Sequence, residues 1–290
     1  MQIKIGIVGL GAIGSVISKS LHSNEYVELF YYTRSPKTEI KIKHGSSIIS
    51  IPIKCESLIT PEKKLDWVII CLKAHQFQSA QQLLKSLIGD ETKVVVIRNG
   101  INLVEDVTPF TRREMILPCI IDCPVQKEGE EYFHQLNHPL ITTVKNDLST
   151  DFKQLFPEEH LTVTWSNDFK TDLWKKLIES ASIGAIQCFT GQTCIIFRKE
   201  KILNQYRDLV RESITVAKAA GAKIGFDFEE HLVSKVLSYP PYKGSSMLTD
   251  KLSGNEIELD AKNGAISKTG IVHGIPTPLN DFICKFLAKE

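Results

Sequence analysis

Six residues near the start, Gly9-Leu10-Gly11-Ala12-Ile13-Gly14, have the spacing of a turn that holds phosphate groups on backbone N–H donors. Gly9 allows a tight turn, Gly11 lets the backbone approach a pyrophosphate, and Gly14 lets a following helix pack closely on the preceding strand. Further on, Tyr32-Thr33-Arg34-Ser35-Pro36 offers one arginine and no carboxylate. A guanidinium there can pair with a ribose 2′-phosphate and stack beside adenine, and an exposed loop arginine has the same look in sequence. In the second half Lys176, Ser180 and Gly184 share a helix face at i, i+4 and i+8 spacing. One lysine followed by small residues leaves room for a small ligand against the charge, although Lys176 alone reads more readily as a solvated helix lysine. Ser245 and Ser246 can cap a short helix. Glu258 is expected in the first turn of the next one, where a carboxylate also balances the dipole.

These residues need a scaffold. Residues 3–8 read as a buried parallel strand and residues 15–23 as a helix with Val16, Ile17 and Leu21 on one side. Residues 27–32 read as a second strand, so the glycine turn lies inside a βαβ unit, the context that a dinucleotide site demands. With Arg34 in place of an acidic residue, NADP is favoured over NAD. Residues 48–53 alternate weakly, and residues 57–61 read as a connection. Residues 66–72 and 93–98 are buried strands, with a helix through about residue 87 between them. Lys73 and Asn99 follow these strands and fall at the rim where a cofactor from the glycine turn would lie. Lys73 by itself reads equally well as a solvated strand-end lysine. Residues 115–123 and 132–144 read as further strands joined by a polar hairpin at residues 126–131.

The pattern changes over residues 157–167. Beyond it the helix period dominates, over residues 168–188, 200–220, 228–237, 245–252 and 255–273, with a final helix running to residue 290. The expected architecture is an α/β Rossmann-type dinucleotide-binding domain, residues 1–166, followed by an all-α domain, residues 167–290. A substrate cleft is expected between them.

Composition excludes several classes. The 35 basic and 34 acidic residues leave a net charge of +1, which gives no electrostatic case for nucleic acid or a membrane surface. The longest apolar runs are far too short to span a bilayer, and no N-terminal signal pattern is evident. Seven cysteines without a CxxC pair point to reduced thiols in a cytoplasmic protein and to no metal site.

Together these residues resemble the ketopantoate reductase (2-dehydropantoate 2-reductase) family. The resemblance runs the length of the chain. It rests on the glycine turn, Leu72-Lys73-Ala74-His75-Gln76, Arg98-Asn99-Gly100 and Leu173-Trp174-Lys175-Lys176-Leu177. Its most specific parts are Ser245-Ser246-Met247-Leu248-Thr249-Asp250, Glu258-Leu259-Asp260-Ala261-Lys262-Asn263-Gly264 and His273-Gly274-Ile275-Pro276-Thr277-Pro278. The resemblance implies a helical domain of the 6-phosphogluconate dehydrogenase C-terminal type. It also implies NADPH-dependent reduction of 2-dehydropantoate to (R)-pantoate, on the route to pantothenate and coenzyme A. Under it Lys176 is the general acid, Glu258 orients substrate and lysine, and Ser246 binds the substrate carboxylate. Asn99 and Ser180 join the substrate site. Lys73 and Asn99 contact the cofactor, Gly9, Leu10, Gly11, Ala12, Ile13 and Gly14 hold its pyrophosphate, and Arg34 meets its 2′-phosphate. A homodimer is common for such reductases.

The chain departs from the family at two places on the lysine helix. Members usually carry asparagines one and two turns after the lysine, where this chain has Ser180 and Gly184. Residues 119–124 also lack the family's threonine-rich pattern. The alternatives are therefore a related reductase of another branched 2-oxo acid, or a non-catalytic NADP(H)-binding protein. The presence of Lys176, Ser246 and Glu258 argues against the second.

Overall fold

A computed structural model describes residues 2–35, 37–56, 64–129 and 132–288. The connection expected at residues 57–61 and the end of the final helix, residues 289–290, lie outside them. The chain forms two compact units, residues 1–98 with 102–169, and residues 99–101 with 170–290.

The first unit opens with β1 (Ile3–Val8), α1 (Ala12–His22) and β2 (Val27–Tyr32). The helix begins three residues before the sequence pattern suggests, because the glycine turn feeds directly into it with Gly11 as its N-cap. There follow β3 (Glu39–His44), β4 (Ser47–Pro52), β5 (Trp67–Ile70), α2 (Phe77–Leu87), β6 (Lys93–Ile97) and β7 (Ile116–Asp122). The unit closes with β8 (Val125–Glu128), β9 (Tyr132–Gln135), β10 (Leu140–Val144), α3 (Asp147–Gln154) and β11 (Thr162–Ser166). Among the described residues the main sheet runs β11-β10-β7-β6-β5-β1-β2. Strands β2, β1, β5, β6 and β7 are mutually parallel and β10 is antiparallel to β7. Strand order reverses between β1 and β5, which puts the glycine turn at the switch point of an open α/β sheet. Both faces of these strands are covered, so Ile5, Ile7, Val68, Ile69, Val94 and Val95 are completely buried.

One expected strand divides. Residues 132–144 are not continuous: β9 joins β8 and β3 in a second sheet, ordered β4-β3-β9-β8, while β10 joins the main one. Pro139 lies at the break, where it cannot donate to a ladder. The helix α3 buries Leu148 and Phe152, four residues apart on one face. Its start is set by a capping box, in which Asn146 Oδ1 accepts from Ser149 N at 2.8 Å and Ser149 Oγ accepts from Asn146 N at 3.0 Å.

The second unit contains α4 (Phe169–Thr190, whose first residue belongs to the first unit), α5 (Glu200–Ala219), α6 (Phe228–Ser238) and α7 (Ser246–Leu252). It ends with a π turn at Asp260–Gly264, α8 (Ala265–His273) and α9 (Pro278–Leu287). The helix expected from residue 255 thus begins at residue 260, and it begins with i→i−5 geometry: Gly264 N donates to Leu259 O at 2.9 Å. The core is built from the apolar stripe of α4, with Leu177, Ile178, Ala181, Ala185 and Cys188, packed on Tyr206, Val210 and Val216 of α5 and on Met247 and Ile266.

Candidate active site

In the first unit the glycine turn is made by its own sterics. Gly9 has φ 94°, a conformation that side chains rarely adopt, and its N–H donates to Tyr32 O at 2.9 Å. A Cβ on Gly14 would lie 1.9 Å from Gly9 O, so the helix can sit this close to the turn only with glycine there. A Cβ on Gly11 would meet nothing within 4 Å. The backbone there is open to an approaching group. No side chain caps α1 and no acidic residue lies in its first turn, so its amide dipoles are available to an anion. These features fit a dinucleotide pyrophosphate.

Two cations flank the turn. Arg34 follows β2 and is exposed. Lys37 was not evident from sequence; its ammonium donates to Leu10 O at 2.9 Å and lies 5.6 Å from the centre of the Phe133 ring. Partial burial pushes the Lys37 pKa down, with Cys55 opposing and Lys127 reinforcing the shift. The end of β5 lies against the turn, since a Cβ on Gly9 would approach Leu72 Cδ2 to 2.9 Å. Lys73 is the next residue and is half-buried, with its N–H bonded to Gln76 Oε1 at 3.0 Å.

In the second unit Lys176 is half-buried on α4. Ser180 is also half-buried, and its Oγ donates to Leu177 O at 3.3 Å, within its own helix. Gly184 does not leave room for a ligand as its size suggested. A Cβ there would lie 2.6 Å from Met247 Sδ, so the space is filled by α7. Gln187, fully buried on α4, completes the tie: its Oε1 accepts from Ser245 N at 2.6 Å and its Nε2 donates to Lys243 O at 3.1 Å. Lys251 Nζ adds a bond to Cys188 O at 3.0 Å. The register of α7 on α4, and hence the place of Ser246, is fixed by these contacts.

Glu258 precedes the π turn instead of lying inside a helix, and it is 5% exposed. Asn99 Nδ2 donates to Glu258 Oε2 at 2.8 Å, across 159 positions of sequence. A hydrogen bond to a charged group such as this contributes about 1.5–3 kcal/mol, and it fixes the carboxylate's orientation. The π turn is anchored from below, where Asn263 Nδ2 donates to Asn280 Oδ1 and Asn280 Nδ2 donates to Glu212 Oε1, at 2.9 and 2.8 Å. One turn after Glu258 stands Lys262, 1% exposed, with Nζ 3.4 Å from Ser246 Oγ. Asn99, Glu258, Lys262 and Ser246 are thus linked within one unit, on the scaffold that carries Lys176. Sequence could reach Gln187 and Lys262 only through their contacts, because both look like ordinary polar helix residues.

Residues 5–146 match the sequence model described as ketopantoate reductase PanE/ApbA, and residues 168–290 match the model of that family's C terminal. The chain belongs to the ketopantoate reductase family. A 2-dehydropantoate 2-reductase of Mycobacterium tuberculosis is 28% identical over 292 residues, covering 99% of this chain and 98% of that one. The dimeric ketopantoate reductase of Staphylococcus aureus superposes with a TM-score of 0.87 at 23% identity, covering 99% of this chain and 98% of that one. A D-mandelate dehydrogenase solved with NADH and anilino(oxo)acetate shares the fold, with a TM-score of 0.87 at 21% identity and coverage of 99% and 97%. Members of the ketopantoate reductase family are oxidoreductases acting on a CH–OH group.

Among the described residues no helix is long and apolar enough to cross a membrane, and no group of three acidic, histidine or cysteine side chains could hold a metal ion.

Proposed function

We infer that this protein reduces 2-dehydropantoate to pantoate with NADPH, the reaction for which its curated relatives are named. The observation that carries the reading is the buried Glu258, held by Asn99 in the unit that also presents Lys176 and Ser246. A protein that only bound the cofactor would have no use for that cluster. When bound, NADPH supplies a hydride to the C2 carbonyl carbon. The Lys176 ammonium gives a proton to the C2 oxygen, and its charge stabilises the developing alkoxide. Glu258, held by Asn99, orients the lysine and the substrate. Ser246 receives the carboxylate. Backbone N–H groups from Gly9 to Gly14 hold the pyrophosphate, Lys73 contacts the cofactor, and Arg34 takes the 2′-phosphate. The test is NADPH oxidation by purified protein with a panel of 2-oxo acids. Turnover of 2-dehydropantoate is expected; no turnover with any 2-oxo acid overturns the reading.

A broader substrate range is favoured by one observation. Ser180 donates its hydroxyl hydrogen to its own helix, and Gly184 is occupied by Met247, so the two positions offer a substrate hydroxyl no donor and at most the Ser180 oxygen as an acceptor. A site with so few hydroxyl partners discriminates weakly, so 2-dehydropantoate and its deoxy analogue should differ by no more than about 10-fold in kcat/KM. A preference of several hundredfold for the hydroxylated acid contradicts this.

The protein acts as a homodimer in this reading. The helical unit exposes the ring cluster Phe189, Phe282 and Phe286, and also Ile271 and Val272 at 79% and 78%, apolar surface of the kind that a second copy of the chain can cover. Light scattering checks the mass. All seven cysteines are free thiols, which suits the reducing cytoplasm.

A further inference from the structure

Lys262 has no role in the mechanism above, yet it is the most deeply buried lysine of the helical unit. An ammonium has three N–H donors, and the only hydrogen bond it makes among the described residues is the long one to Ser246 Oγ, at 3.4 Å. Burial pushes its pKa down and the Lys176 charge acts in the same direction, while Glu258, Asp250 and Cys188 push it up. Nearby carboxylates only partly offset the desolvation. An apolar side chain of the same length would be easier to bury, so stability does not account for a lysine here.

The geometry around Ser246 does. The start of α7 is capped by Ser245, whose Oγ accepts from Leu248 N at 3.2 Å, so the Ser246 hydroxyl is not needed for capping. Ser246 is exposed, whereas Lys262 lies beneath it. An ammonium can only donate, so Ser246 Oγ accepts from below. The hydroxyl hydrogen is then left to point outward, at an acceptor. A buried positive charge under an outward donor is the arrangement that suits an anionic oxygen. We propose that Lys262 is a positioning residue, which holds Ser246 as a donor toward the carboxylate of the 2-oxo acid and adds a positive charge beneath it. The proposal rests on the reductase reading above and names the feature of the substrate that this corner of the site selects.

The experiment compares kcat/KM for 2-dehydropantoate and for its uncharged methyl ester, in the unaltered protein and in Lys262→Met. The substitution should lower the value for the acid by about 10-fold to 100-fold, chiefly through KM, and leave the ester within about threefold. NADPH affinity should stay unchanged, and the melting temperature should hold or rise. In a Ser246→Ala background the same substitution should lose most of its effect on the acid. Equal losses for acid and ester, or a lowered melting temperature with both activities falling together, overturn the proposal in favour of a structural role. Should Lys262→Met fail to fold, Lys262→Gln decides by the same ratio, since it keeps a donor for Ser246 and removes the charge. Selective loss of the acid supports the proposal, and equal loss overturns it. An unaltered protein that turns over no 2-oxo acid overturns the reductase reading and this proposal together. Normal turnover with an unchanged acid-to-ester ratio in Lys262→Met overturns this proposal alone.

Discussion

In the first unit, the groups suited to a dinucleotide come from one short stretch. Gly9, Gly11 and Gly14 lie within a single strand–turn–helix junction, and Lys37 returns to the carbonyl of Leu10 after one more strand. In the second unit Asn99 reaches Glu258 across 159 positions and Lys262 reaches Ser246 on another helix, while Lys176 stands on α4, so the group is brought to one unit only by packing. The first arrangement is set by local backbone sterics. The second depends on Gln187, on the fit of Met247 into the space at Gly184, and on the Asn263–Asn280–Glu212 chain under the π turn. Holding a cofactor and donating a proton should therefore fail separately under mutation.

The sharpest separation is expected at Lys176. Lys176→Ala should lower kcat by about 10²–10⁴-fold, the usual scale for loss of a general acid, as read by NADPH oxidation. Glu258→Gln keeps the shape and an acceptor for Asn99 while removing the charge, and should lower kcat by roughly 10-fold to 100-fold. Combined with Lys176→Ala it should cost less than the product of the two, because groups that act as one unit are not additive. In the other unit, Arg34→Ala should weaken NADPH by about 10-fold and leave NADH nearly unchanged in a binding titration. Equal weakening of both would remove the 2′-phosphate from Arg34. The smallest effect tests the packing side of the comparison. Gly184→Ala should destabilise the protein by about 1–3 kcal/mol by crowding Met247, measured by denaturant unfolding, with the affinity for NADPH unaltered.

The same contrast governs how much could be read without coordinates. The strands Ile3–Val8 and Val27–Tyr32 were legible to the residue, because the first is a β-branched run that ends at Gly9 and the second combines Val27 with Phe30, Tyr31 and Tyr32, residue types that favour strands. Gly14 was legible as a packing glycine from its spacing in the glycine turn. The helical unit was legible as helices but not as an arrangement. Glu258 reads as the first turn of a helix, because residue spacing does not distinguish an α turn from the π turn that starts after it. Gly184 reads as open space, and only the approach of Met247 fills it. Lys262 sits in Asp260-Ala261-Lys262-Asn263, a polar run that resembles a solvated face, yet it is buried with its Nζ 3.4 Å from Ser246 Oγ on α7, a contact that no local pattern contains. Lys37 was hidden likewise, as one more cation in a loop.

The division of labour between the two units is tested most directly by titrating Lys176→Ala protein with NADPH. A dissociation constant within about twofold of that of the unaltered protein, a difference of less than about 0.5 kcal/mol, is the predicted result, alongside the loss of turnover. A constant raised by about 10-fold or more would place Lys176 on the cofactor, and would contradict the separation of cofactor binding from proton donation.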